Sequence, residues 1–174
     1  MKCLNCNMPM PGRYRCPHCG QVDRVSRKCI YSSNWHYNKG LSRAGVRDIS
    51  GAIISLRRSL KYKKRNTQAR NLLGLCYYQI GEIVDALSEW VISVHFQETD
   101  NPAKYYIRIM QEDPAGMKLA GRVVKKYNVG LQYVQEGSED LAVLELKKVV
   151  DMNPNFVRAY QLLALVHIHR KQYK

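Results

Sequence analysis

Residues 71–94 read NLLGLCYYQIGEIVDALSEWVISV, two apolar-periodic segments separated by Gly81. Each segment repeats its apolar residues at helical spacing, and the glycine between them permits the reversal of a helix–turn–helix hairpin. Gly74 and Ala86 are small where two helices would cross, and Trp90 is large. The same punctuation recurs outside this stretch. Gly40, Gly74 and Gly130 are each followed twelve residues later by Ala52, Ala86 and Ala142. Sixteen residues after each glycine come Leu56, Trp90 and Leu146, and nineteen after come Ser59, Ser93 and Val149. Tyr77 and Tyr133 sit three after their glycines, and Gly81 and Gly137 mark the inter-helix turns. Gly40 to Gly74 is 34 residues, as is Gly130 to Ala164, and Pro154 breaks a helix where one unit closes.

A 34-residue helix–turn–helix unit with small residues at the helix crossing resembles the tetratricopeptide repeat family. The resemblance covers residues 33–174, in units at about 33–66, 67–100 and 123–156, with a fourth, truncated unit from 157. The first unit departs from the pattern with His36 and Lys39 where large apolar residues usually sit. The fourth stops after its first helix, so the chain is expected to end inside a longer protein. Residues 101–122 do not fit the period. Asn101-Pro102 starts a helix to about Glu112, and Asp113-Pro114 opens another that continues into the third repeat, since Pro is favoured at a first helical position. Ser138 is expected to cap the helix that follows it, with Glu139 and Asp140 favouring the helix dipole. Within the second unit, Gly74 is expected to face Ala86.

The N-terminus carries a second signal. CLNC and CPHC place Cys3, Cys6, Cys16 and Cys19 as two Cys-x2-Cys pairs nine residues apart. Such pairs wrap tight turns around one metal, and Asn7 and Gly20 follow them where a positive φ is tolerated. Four thiolates suit a closed structural zinc site, one ion per chain. A disulfide pair would need an export signal, which the sequence lacks. A redox Cys-x2-Cys belongs in a βαβ unit, and none surrounds these residues. Iron also accepts four thiolates, but nothing here specifies electron transfer. Residues 1–30 are assigned to this module; residues 1–20 resemble the short zinc ribbons of many bacterial proteins, with a β-hairpin between the knuckles turned at Pro11-Gly12. His18 points outward, and Cys29 and Cys76 are not needed as ligands. The fold class is therefore all-α, a helix–turn–helix solenoid preceded by a small zinc-ribbon module.

Composition bounds the function. The 174 residues carry a formal charge of +14, and residues 1–65 hold fifteen Lys/Arg against only Asp23 and Asp48. No apolar run approaches the ~18 residues of a membrane span, and no signal-peptide core is present, so a cytoplasmic protein is expected. The five histidines lie on unrelated elements, and no phosphate loop, nucleophile elbow or paired carboxylate motif is visible, so no enzyme is expected. The repeat resemblance implies protein or peptide binding in a groove lined by the first helices, at Tyr37, Leu41, Asn71, Leu75, Tyr78, Tyr127, Leu131 and Val134. The same positions serve equally for packing against neighbouring helices. The Lys/Asn pattern that clamps a peptide carboxylate in some family members is absent. The alternative is nucleic-acid binding through Arg13, Arg15, Arg24, Arg27 and Lys28, interleaved with Tyr14, Tyr31 and Trp35, and through Lys61, Lys63, Lys64 and Arg65. An anionic membrane surface is a third reading. The apolar face of the truncated last helix is expected to support a weak dimer.

Overall fold

The computed structural model describes residues 2–3, 5–10 and 15–170. Among these it forms eight α-helices and no regular strand. They are α1 (Arg24–Gly45), α2 (Ile49–Tyr62), α3 (Thr67–Gln79), α4 (Ile83–Phe96), α5 (Ala103–Gln111), α6 (Pro114–Gln135), α7 (Glu139–Met152) and α8 (Val157–His169). No helix among the described residues is long and apolar enough to cross a membrane. The chain divides into two compact units, residues 1–73 and 74–174, with the division inside α3.

Helix starts follow local chemistry. The Asp23 carboxylate accepts from the amides of Val25 and Ser26 at 2.9 and 3.2 Å and opens α1. Asp48 accepts from the Gly51 amide at 2.9 Å to open α2. Asp113 does the same for α6 through the Gly116 amide, also at 2.9 Å, with Pro114 in the first turn. These side chains satisfy amides that have no partner within the helix. Ser138 does not act as expected, for its side chain makes no capping bond. The start of α7 is instead held by charge: Arg170 reaches Asp140 at 2.7 Å and Glu139 at 3.7 Å, and His169 meets Glu139 at 2.5 Å. The acidic side chains are committed to the far end of α8.

Helix pairing depends on the glycines. A methyl group at Gly40 would lie 2.7 Å from Leu56 Cγ, and one at Gly130 would lie 3.0 Å from Leu146 Cγ. At Gly74 it would lie 2.2 Å from Trp90 Nε1. The atoms nearest Gly74 therefore belong to Trp90, sixteen residues on. The missing side chain on one helix is the space the large side chain of the other occupies. Leu56, Leu146 and Trp90 are all buried in this way.

In the first unit the crossing also buries polar groups. Ser33 and Ser59 hydroxyls lie 3.0 Å apart, and Ser59 donates to the Ser33 carbonyl at 2.8 Å. The Asn66 amide donates to the Ser33 hydroxyl at 3.2 Å, while its oxygen accepts from the Ala69 amide at 3.2 Å. One asparagine thus satisfies the buried hydroxyls and the start of α3. Asn101 repeats the device in the second unit, donating to Ser93 at 3.1 Å and accepting from the Ala103 amide at 3.1 Å.

The 22 residues outside the repeat form α5 and the opening turns of α6. α5 packs on α4 and α6, and α6 continues without a break to Gln135. Val123, Leu146, Val149, Phe156, Ala159 and Leu162 form the buried cluster of α6, α7 and α8. The turn between α3 and α4 closes onto the start of α8. Asn153 donates to the Gly81 carbonyl at 3.1 Å, and Arg158 pairs with buried Glu82 at 2.8 Å and with Asp85 at 3.2 Å.

The three crossings respond differently to alanine. Alanine gains about 1 kcal/mol over glycine in a helix interior, while forced overpacking costs ~1–3 kcal/mol. The rigid indole at Gly74 has little room to move, so Gly74→Ala is expected to destabilise most. Gly40→Ala should fall between, and Gly130→Ala should be close to neutral. Thermal unfolding of the three variants would reveal the order, and equal midpoints would disprove it.

Candidate metal centre and binding surfaces

The two Cys-x2-Cys segments have the same backbone construction. The Asn7 amide donates to the Cys3 carbonyl at 2.9 Å, and the Gly20 amide donates to the Cys16 carbonyl at 3.0 Å. The Cys3 amide reaches the Met8 carbonyl at 2.8 Å, and the Cys16 amide the Gln21 carbonyl at 2.9 Å. Each turn needs a left-handed residue, supplied by Asn7 at φ 57° and Gly20 at φ 70°. Isolated antiparallel bridges, Lys2 with Pro9 and Arg15 with Val22, close the two loops. The β-hairpin expected between the knuckles is not formed as regular strands among the described residues, and its Pro11-Gly12 turn lies outside them. Loops this short complete one turn and one bridge before the chain must leave.

The four sulfurs lie within 4.8 Å of one another. Cys3 to Cys19 is 3.6 Å and Cys6 to Cys16 is 3.5 Å. A disulfide would require about 2.05 Å, whereas four thiolates at ~2.3 Å from one tetrahedral ion lie about 3.8 Å apart. The spacing therefore fits a shared metal ion. Cys3, Cys16 and Met10 form the small buried cluster behind the sulfurs, with Cys6 against it. His18 is exposed and outside the ligand set.

The thiols are tuned unequally. Cys19 is lowered to about 6, first by the Gln21 backbone amide and then by the Asn5 side chain. Cys16 is lowered chiefly by the Cys19 amide. At Cys6 the Met8 amide favours the thiolate, yet burial and its three sulfur neighbours push it up to about 12. Cys76, outside the cluster, is pushed up to about 11 by burial alone.

The predicted groove residues divide. Leu75 and Tyr78 line a cavity of about 650 Å³ within the second unit. Its other walls are Ile83 beyond the α3–α4 turn, Leu119, Ala120 and Val123 of α6, and the α7–α8 turn from Met152 to Asn155. Tyr127, Leu131 and Val134 pack instead against the α7–α8 cluster, with Tyr127 edge-on to Phe156 at 5.3 Å. Tyr37, Leu41 and Asn71 belong to the first unit, where Leu41 is exposed and the other two are half-buried. On α8, Tyr160, Leu165 and Ile168 are exposed. The α6 and α7–α8 walls were not expected from the repeat pattern. The break in period at residues 101–122 is the signal that could have located the α6 wall.

Of the basic residues, Arg13 lies outside the described residues, as does Tyr14. Arg15 is exposed beside the metal loops, and Arg24, Arg27 and Lys28 are exposed on α1. Lys61, Lys64 and Arg65 are exposed around the end of α2, and Lys63 is half-buried. His36, between these groups on the sequence, is held below its ordinary value by burial and by the charges of Arg58 and Lys39.

The geometry thus defines, among the described residues, a helical repeat protein with a four-cysteine cluster at its start that could hold a metal ion. No family model and no curated protein matches the chain. The solved crystal structure of MamA protein is similar over 80% of this chain and 83% of its own, at 24% sequence identity and a TM-score of 0.39.

The thiol environments set a reactivity order. In chelator-treated protein at pH 7.5, iodoacetamide should modify the released N-terminal cysteines before Cys76. Burial holds the Cys76 thiol up at about 11, so its rate should still climb at pH 9. Mass spectrometry at timed quench points reads both rates, and first modification at Cys76 would contradict the assignment.

Proposed function

We propose that this chain is a non-enzymatic scaffold of the tetratricopeptide type, which holds a protein or peptide partner and carries a structural zinc ion. The cavity of about 650 Å³ in the second unit supports the binding role. Its size falls in the range of sites that take a ligand group, ~300–1,000 Å³. Leu75, Ile83, Leu119, Val123, Met152 and Pro154 make its walls apolar, while Tyr78, Gln79, Asn153 and Asn155 place hydrogen-bonding groups around them. No Lys, Arg, Asp or Glu lines it. An apolar side chain presented by a peptide, with its backbone held by the amides, matches that lining better than a charged terminus.

The zinc reading rests on the sulfur spacing. Four thiolates around Zn²⁺ close a tetrahedron and leave no open position, so the ion supplies folding free energy on the order of 10 kcal/mol and no chemistry. About one equivalent of zinc per chain is expected by elemental analysis. Cys16→Ser should lower it sharply, and a chelator should release it while the helical circular dichroism of the rest persists. Another metal in the purified protein, or none, would remove the zinc assignment.

The binding reading has its own test. A photo-crosslinking residue at Gln79, on the cavity rim, should capture a protein or peptide from cell extract after nuclease treatment. Truncating an anchor in a desolvated pocket commonly costs ~2 kcal/mol or more, so Tyr78→Ala should weaken the purified partner roughly thirtyfold, with weak dependence on salt. Capture that ignores Tyr78→Ala and Leu75→Ala would place the partner elsewhere.

A further inference from the structure

The face of α1 that turns away from α2 combines charge and aromatic rings in a regular order. Arg27, Tyr31, Trp35 and Lys39 recur at every fourth residue, so they follow one another along the helix at successive turns. Ser26, Ser33 and Gly40 are buried on the opposite side. Tyr31 is 56% exposed and Trp35 58% exposed. The Arg27 guanidinium sits 5.6 Å over the Tyr31 ring, and the Lys39 ammonium 4.9 Å over the Trp35 ring. The ring track then leaves the helix. His36 meets Trp35 edge-on at 4.7 Å and stacks on Tyr62 of α2 at 5.6 Å. Tyr62 is itself exposed and stands between Lys61 and Lys63. A line of rings therefore connects the basic cluster at the start of α1 with the one at the end of α2.

The unit has few carboxylates to set against its fifteen basic residues up to Arg65. Its two carboxylates are Asp23 and Asp48, and both are used as helix caps, Asp48 also lying 3.6 Å from Arg43. A partner that complements this surface is a polyanion. The rings narrow the choice. A duplex hides its base faces and would leave Tyr31 and Trp35 idle, whereas unpaired bases stack on such rings without regard to sequence. A membrane-bound helix needs a continuous apolar strip, and on this face only two rings stand together before Arg27 and Lys39 flank them at either end.

We propose that the Arg27–Lys39 face of α1, continued through His36 and Tyr62 to the end of α2, binds single-stranded nucleic acid. Bases stack on Trp35 and Tyr31, displacing Lys39 and Arg27 from the ring faces, and these cations turn to the phosphates with Lys28 and Lys61. This site shares no residue with the cavity of the second unit and does not depend on the scaffold reading.

The test uses the full chain as purified with its metal. Fluorescein-labelled twelve-residue oligo-uridine, oligo-thymidine and a duplex of equal length are titrated by anisotropy at two salt concentrations. Single strands of either sugar should bind, the duplex roughly tenfold more weakly, and Trp35 emission should be quenched on binding while buried Trp90 stays constant. Trp35→Ala should weaken the single strand roughly tenfold and Trp35→Phe should restore most of it. Lys28→Ala should lower the salt slope by about 0.7, the value for one phosphate on a single strand. Tyr105→Ala, at an exposed ring on α5, should leave single-strand binding unchanged. If Trp35→Ala melts early, Tyr31→Ala carries the same test. Equal binding of duplex and single strand that ignores both ring variants would overturn the proposal. So would no binding, or binding only to phosphatidylserine vesicles with a blue shift of Trp35.

Discussion

Helices in this chain approach one another closely because one partner of each glycine-bearing pair offers no side chain at the crossing. Gly40 and Gly130 receive leucines and Gly74 receives an indole, each sixteen residues later. That contact sets the distance between the axes, and the distance decides what else is buried. At the α1–α2 crossing it brings two serine hydroxyls together out of water. Buried hydroxyls are costly without partners, so the position of Asn66 follows from the crossing as much as from the turn it occupies. The outward face of α1 is fixed by the same contact, because the side that carries Gly40 must face α2.

The N-terminal segment solves the same problem by different chemistry. Too short to bury an adequate core, it gathers four sulfurs and a methionine around a point where an ion fits. Its two loops are near copies, each with one left-handed residue and the same pair of backbone hydrogen bonds. Such repetition comes from the ligand spacing: two sulfurs three residues apart reach one ion only if the chain turns tightly between them. Four thiolates on a divalent ion would carry net negative charge within an otherwise cationic unit.

In the second unit the departure from the repeat period creates a site. α5 and the first turns of α6 stand where a regular repeat would place nothing, and α6 contributes one wall of the cavity. The opposite wall is kept in place by Arg158 with Glu82 and by Asn153 with the Gly81 carbonyl. Removing one member of a buried ion pair is strongly destabilising, because the remaining charge has lost its compensation. Arg158 therefore does for the cavity what the glycines do for the helix pairs.

The helices, the pairing glycines, the four cysteines and the charge bias were legible in the amino-acid order, because each depends on residues spaced by a fixed short period. Asn7 and Gly20 could be placed in left-handed turns for the same reason. Other features were not legible. How closely Trp90 seats on Gly74 depends on the crossing angle, which no local spacing sets. Ser138 has capping chemistry but no capping bond, while the neighbouring acids are taken by the distant Arg170. Tyr78 and Val134 each stand four residues after their glycine, yet one lines a cavity and the other packs on the α7–α8 cluster. By itself the sequence determined which segments become helices, where they reverse and which sulfurs belong together, because backbone propensity and ligand spacing act over a few residues. Only the tertiary structure decided which exposed rings align and which apolar residues face a cavity, because those relations arise between segments up to 72 residues apart, as in the bond from Asn153 to Gly81.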